Sequence, residues 1–213
     1  MSLRKPGKII GIGRNYRAHA EELGNAMPKE PILFIKAPTS LSGPGQPIVL
    51  PAMSSHVEQE AEIGVVILER IKGITEAEAA NKKYGFVCVN DVTARDLQKV
   101  DGQWGRAKGF DTFCPVGDTV VEGLDWTTLE IIGRVNGKVV QHARATDMAF
   151  GVPALVAFLS QVMTLEPGDL IATGTPAGVG MGLNPPRWLQ HGDVVRVTID
   201  GIGTLENRFI EES

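Results

Sequence analysis

Cysteine is scarce in this chain: Cys88 and Cys114 are its only two in 213 residues, each beside apolar or small neighbours. That excludes a disulfide framework and points to reduced thiols in a core. An excess of positive charge is also missing. Lys plus Arg is 21 and Asp plus Glu is 25, so the formal charge is 21 − 25 = −4. The basic face that a nucleic-acid partner requires is therefore not expected, and no block of like charges suggests a charged tail. No apolar run approaches the roughly 20 residues of a membrane span. The longest weakly polar stretch, Met148 to Leu159, falls well short and contains Pro153. The chain opens without a charged-then-apolar leader, so a soluble, cytoplasmic protein is the expectation. Internal repeats, low-complexity segments and obvious linkers are absent too, and the length suits one domain.

Glycine, by contrast, is abundant at 25 residues, and most signals are those of short strands. "KIIGIG", "PILFIKAP" and "YGFVCVND" read as apolar strands bounded by Gly, Pro or polar residues. Asn136-Gly137 and Asp200-Gly201 each sit between β-branched runs, the strongest local cue for a hairpin. Helices are few. "NYRAHAEEL" has Asn15 as a candidate cap and Gly24 as a stop. "ITEAEAANKKY" has Thr75 as its cap, and "VPALVAFLSQVM" carries Pro153 in its first turn, where the missing N–H costs little. Strands and helices do not alternate regularly, which argues against a doubly wound sheet and for a β-rich α+β domain.

The most informative stretch is "HVEQEAEIG", with Glu58, Glu60 and Glu62 at every second position. In a strand these residues and His56 share one face. Such a row is more commonly a solvated face, but here the chain runs straight on into "VVIL", so the carboxylates border a core. Like charges there repel one another, and a divalent cation would relieve the repulsion. A further carboxylate, Asp91, ends the apolar strand "YGFVCVND". If the two strands are neighbours, Glu60, Glu62 and Asp91 converge on an all-oxygen site suited to Mg²⁺ or Mn²⁺ before Zn²⁺. Spacing alone leaves open which two of the three glutamates bind. His56 precedes the apolar pattern and reads as a loop residue beside the site.

Taken in order, "GRNYRAHAEELG", "EPILFIKAP", "EQEAEIGVVI", "NDVTARDLQ", "AKGFDTFCPVG" and "ATGTPAGVG" resemble the fumarylacetoacetate hydrolase family across nearly the whole chain. The resemblance implies a mixed, rolled, barrel-like β-sheet core with a few short helices. Because the chain opens at the first block, residues 1–213 are expected to be a single catalytic domain without the N-terminal extension of larger members. The family's metal ligands match Glu60, Glu62 and Asp91, which leaves Glu58 outside the pattern. Its acid–base dyad matches His19 and Glu22, whose i, i+3 spacing puts them on one helical face. Lys108 matches the lysine that faces the substrate, and Arg95, Gln98 and Thr175 match positions that contact substrate or product. The implied activity is divalent-metal-dependent hydrolysis of 2,4-diketo acids (acylpyruvates) to pyruvate and a carboxylic acid, through an enolate stabilised by the ion. A homodimer is also implied. The helix bearing the dyad, between Arg14 and Pro28, is expected to order over bound substrate.

Other readings compete. "GIG" after an apolar strand suggests a dinucleotide site, but Tyr16 stands where the third glycine belongs. "GTPAGVGMG" lacks the Gly-Lys-Ser/Thr ending of a phosphate loop. Within the same family, isomerisation or decarboxylation of 2-hydroxyhepta-2,4-diene-1,7-dioate-like acids, or decarboxylation of oxaloacetate, would use the same residues. The blocks "DGQWGRAKGFDTFCPVG" and "GMGLNPPRWLQHGD" resemble that branch. A non-catalytic, metal-stabilised domain would have lost a ligand, the dyad or the lysine, and none is missing.

Overall fold

The computed structural model describes residues 5–212. Two open sheets dominate it. The larger, six-stranded sheet runs in the order Val121–Glu122, Tyr84–Asn90, Ala61–Ile67, Leu170–Ala172, Ile9–Gly13, Ile32–Lys36. All its neighbours are antiparallel except Ile9–Gly13 and Leu170–Ala172, which pair in parallel. The second, five-stranded sheet orders Lys138–Arg144, Glu130–Val135, Val194–Ile199, Gly203–Glu211 and Ile48–Leu50. The β-rich α+β class expected from the sequence is the one observed, but none of the sheets closes into a barrel.

Burial explains the sequence patterns. Ala61–Ile67 and Tyr84–Asn90 are buried at every residue, as their unbroken apolar runs require of strands covered on both faces. Ile63 and Val65 pack with Ile131 and Val197 of the second sheet and with Leu155 and Leu159 of the helix Val152–Val162. On the opposite face, Val66, Val87 and Val89 pack with Cys114 and Val116. The second sheet instead alternates, with one face on the core. The hairpin at Asn136-Gly137 is present, with φ of 51° and 80° at its two turn residues, the positive pair that a type I′ turn demands. Cys88 and Cys114 are free and buried, and burial pushes both thiols up to about 12. Among the described residues, no helix is long and apolar enough to cross a membrane.

Two local expectations are corrected. Asn15 does not cap the helix Arg17–Glu22, whose N-cap is Tyr16. Its amide instead donates to the carbonyl oxygens of Thr173 and Phe150 and accepts from Phe150 N, a buried tether between distant segments. The carboxylate row is also not one continuous strand. Val57–Glu58 pairs with Thr93–Ala94 in a separate ladder, and Ala61–Ile67 begins only after a break at Gln59 and Glu60. The break is held by bonds from Gln59 Nε2 to Gly178 O and from Glu60 N to Asn90 Oδ1. His56 stacks on Trp188, with ring centroids 4.4 Å apart.

Candidate active site

Antiparallel pairing places the start of Ala61–Ile67 beside the end of Tyr84–Asn90, with Ala61 opposite Asn90. Asp91 N donates to Glu60 O at 2.8 Å, so the residues flanking the two strands face one another. Ligand atoms of Glu60, Glu62 and Asp91 all lie within 4.8 Å of one another, and all three residues are buried. The two strands anticipated as neighbours are neighbours.

Three buried or nearly buried cations thread this cluster. Lys108 Nζ donates to Glu60 Oε2 at 2.7 Å, Asp91 Oδ2 at 2.5 Å and Thr93 Oγ1 at 2.8 Å. Arg95 bonds Glu60 Oε1 at 2.5 Å and also grips Glu58 through Nε and Nη2. Lys36 Nζ bonds Asp91 Oδ1 at 2.5 Å. Glu62 alone has no ion pair among the described residues, and Gly174 N donates to its Oε2 at 2.8 Å.

The electrostatics follow from that pairing. Burial opposes the charge on Glu60, but Lys108 and Arg95 outweigh it and hold the carboxyl down to about 2. Burial, and then the charges of Asp91 and Glu60, push the Glu62 carboxyl well above its ordinary range. Burial works against the Lys108 ammonium as well, yet Asp91 and Glu60 raise it on balance, so it stays a cation and not a base. An all-carboxylate set with one member unneutralised fits a hard divalent ion, which would relieve the repulsion at Glu62.

The cluster opens onto a cavity of about 420 Å³ walled in part by His19, Glu60, Arg95, Gln98, Lys108 and Thr175. His19 Nδ1 lies 3.3 Å from Glu22 Oε2, and Gly178 N holds the other Glu22 oxygen at 2.8 Å. The histidine is thus oriented from behind, leaving Nε2 for the cavity. The Thr175 hydroxyl donates to Ala61 O and accepts from Gln141 Nε2. Arg95 Nη1 bonds Gln98 Oε1 at 2.5 Å. All nine residues singled out from the sequence therefore lie in or directly around one site.

Two participants escaped the sequence reading. Lys36 is 0% exposed and bound to Asp91, yet it reads as the polar end of a strand in "LFIKAP". A lone lysine closing an apolar strand, with no acidic neighbour in sequence, was its only signal. Glu58, left outside the pattern, is also 0% exposed, bonded by Arg95 and by Met181 N at 2.6 Å. It anchors the arginine that reaches Glu60.

A β-rich domain with a carboxylate cluster and a His–Glu pair on one cavity is the architecture of an enzyme. The model of the fumarylacetoacetate (FAA) hydrolase C-terminal family matches residues 8–210, and the chain belongs to that family. It is 43% identical to the oxaloacetate tautomerase YisK of Bacillus subtilis, over 96% of this chain and 70% of the relative. It is 44% identical to 2,4-didehydro-3-deoxy-L-rhamnonate hydrolase of a Sphingomonas species, over 96% of this chain and 74% of that one. Among solved structures, 2-hydroxyhepta-2,4-diene-1,7-dioate isomerase from Mycobacterium marinum superposes with a TM-score of 0.88 at 44% identity, covering 100% of this chain and 77% of that one. Members of the family thus include isomerases, tautomerases and hydrolases.

Proposed function

We propose that this protein is a divalent-metal-dependent hydrolase that cleaves the C3–C4 bond of acylpyruvates, giving pyruvate and a carboxylic acid. The observation that carries this reading is the convergence of Glu60, Glu62 and Asp91 beside the His19–Glu22 pair on one cavity. Glu60, Glu62 and Asp91 would hold Mg²⁺ or Mn²⁺. Once bound, the ion supplies positive charge to the carboxylate and 2-oxo group of the substrate and so favours enolate character at that end.

The chain's own residues account for the rest. His19, held through Nδ1 by Glu22, takes a proton from water at Nε2. The water oxygen bonds to C4, the C3–C4 bond breaks, and its electron pair passes to C3. Protonation at C3 then completes pyruvate. Lys108, kept cationic by Asp91 and Glu60, stabilises developing negative charge, and Arg95 and Gln98 position the substrate. Thr175 lines the cavity, with its hydroxyl held between Ala61 O and Gln141 Nε2.

A second reading is isomerisation, tautomerisation or decarboxylation of a related 2-oxo or 2-hydroxydienoic acid, favoured by the activities named for the tautomerase and isomerase relatives. Isomerisation and tautomerisation need the polarised oxo acid and a proton shuttle but no attacking water, whereas decarboxylation needs the polarised oxo acid alone. The test follows the enol absorbance of a simple acylpyruvate after chelation, with and without Mg²⁺ or Mn²⁺. Metal-restored decay that yields pyruvate supports hydrolysis. No decay from protein that still binds the ion removes it and turns attention to oxaloacetate and the dienedioates. His19→Ala separates the roles further, because it should abolish cleavage while sparing decarboxylation.

A further inference from the structure

The paired glycines of "GIG" serve no dinucleotide site, and the fold gives them another task. Gly11 and Gly13 lie two apart on the strand Ile9–Gly13, so side chains at these positions would point to one face. Aromatic rings fill that face. A Cβ on Gly11 would overlap the Phe34 ring, and one on Gly13 would overlap the Trp104 indole. Phe34 stands directly opposite Gly11 in the antiparallel pair, and the two rings meet edge to face with centroids 5.3 Å apart.

This aromatic pair is joined to Lys108. Trp104 is the N-cap of the helix Gly105–Gly109, and its carbonyl accepts from Lys108 N at 3.1 Å. The Lys108 ammonium lies over the Phe34 ring, 5.0 Å from its centroid. All three of its N–H groups are taken, by Glu60, Asp91 and Thr93. With its hydrogen-bonding capacity used, the ammonium meets the ring through charge alone. An aliphatic wall there would only strip water from a cation that is 2% exposed, whereas the negative face of an aromatic ring attracts it.

We infer that Phe34 is a positioning residue: its ring face holds the Lys108 ammonium at the carboxylate cluster, and Gly11 and Gly13 keep open the space that the aromatic pair occupies. The catalytic task of Lys108 rests on the reading above, but its placement by Phe34 does not depend on the substrate.

The experiment places phenylalanines carrying one, two or three ring fluorines at position 34 alone. Fluorine draws negative charge from the ring face while leaving its shape nearly unchanged. In urea, the chelated protein should lose stability stepwise with each fluorine, and the loss should vanish in a Lys108→Met background. If Lys108→Met does not fold, the sign of the trend decides, because packing alone would gain from the added apolar surface. Acylpyruvate turnover by the Mg²⁺-loaded series should fall in step, by about tenfold in kcat at three fluorines, with KM little changed. Stability that holds or rises with fluorination, or a trend that persists without Lys108, overturns the inference. So does a constant kcat, or a KM that rises in its place, which would make the ring a substrate contact. Should wild type itself turn over no acylpyruvate, the hydrolase reading falls, and the unfolding series still decides whether the ring holds the lysine.

Discussion

Lys36 Nζ lies 2.5 Å from Asp91 Oδ1, with the two side chains 0% and 1% exposed. Lys108 holds the other oxygen of the same carboxylate at 2.5 Å, so Asp91 is clamped between two buried ammonium groups. Removing one member of a buried pair costs about 3–5 kcal/mol, and the remaining lysine should keep the loss near the lower end. Urea denaturation of chelated Lys36→Met is therefore expected to show about 3 kcal/mol less stability. The same change removes a positive charge that competes with a divalent ion, so calorimetry should find tighter metal binding. Unchanged stability would mean that Lys108 alone neutralises Asp91.

Glu60 and Glu62 should give the chelated protein opposite pH responses. The Glu60 carboxyl is held at about 2 against an ordinary 4.5, so its stabilisation is present above the ordinary value and is lost as pH falls toward about 2. Glu60→Gln is expected to be less stable than wild type at neutral pH, with the gap narrowing in acid. The Glu62 carboxyl is raised, so the folded state holds its proton over a range where the unfolded chain has released it. Stability should therefore fall as pH rises through that range, and Glu62→Gln should remove the fall and be the more stable protein at neutral pH. Denaturation midpoints across pH decide it; parallel curves for the two variants would contradict both assignments.

Much of this site was legible because its residues sit at element boundaries that the sequence marks. Asp91 directly follows an apolar strand, and Glu60 and Glu62 flank Ala61, the first residue of another. What could not be read was set by contacts between distant segments. Alternation suggested one strand from His56 to Glu62, but Gly178 and Asn90 break it at Gln59 and Glu60, and Glu58 turns into the protein to meet Arg95. Asn15 looked like a cap because capping is local, whereas its amide is taken by Thr173 and Phe150. Lys36 was invisible for the same reason, since its partner lies 55 residues away.

Glu22 touches His19 on one side and Gly178 N on the other, so it acts through the histidine's orientation. Glu22→Gln keeps the size and one acceptor but removes the carboxylate that faces His19 Nδ1. The expected result is a loss of about 10²-fold in kcat for acylpyruvate cleavage with little change in KM, by steady-state kinetics. Metal affinity should stay unchanged, because Glu22 is not among the clustered carboxylates. A fall in KM-linked affinity with intact kcat would instead make Glu22 a substrate contact.

Two glycines near this glutamate should separate catalytic from structural damage. A Cβ on Gly182 would lie 2.0 Å from Glu22 Oε1, against the end of a flexible side chain. Gly182→Ala can fold by displacing that carboxylate, so kcat should drop as in Glu22→Gln while the thermal midpoint shifts little. At Gly178, φ is 105° and a Cβ would lie 1.7 Å from the backbone oxygen of Val140. That obstacle belongs to a sheet strand and cannot rotate away, and the left-handed backbone itself disfavours a side chain. Gly178→Ala should lose several kcal/mol of stability, together with the bond from its N–H to Glu22. Thermal melts and kinetics on the pair read the two effects separately. A Gly182→Ala protein that melts as early as Gly178→Ala would show that Glu22 is locked by packing and cannot yield.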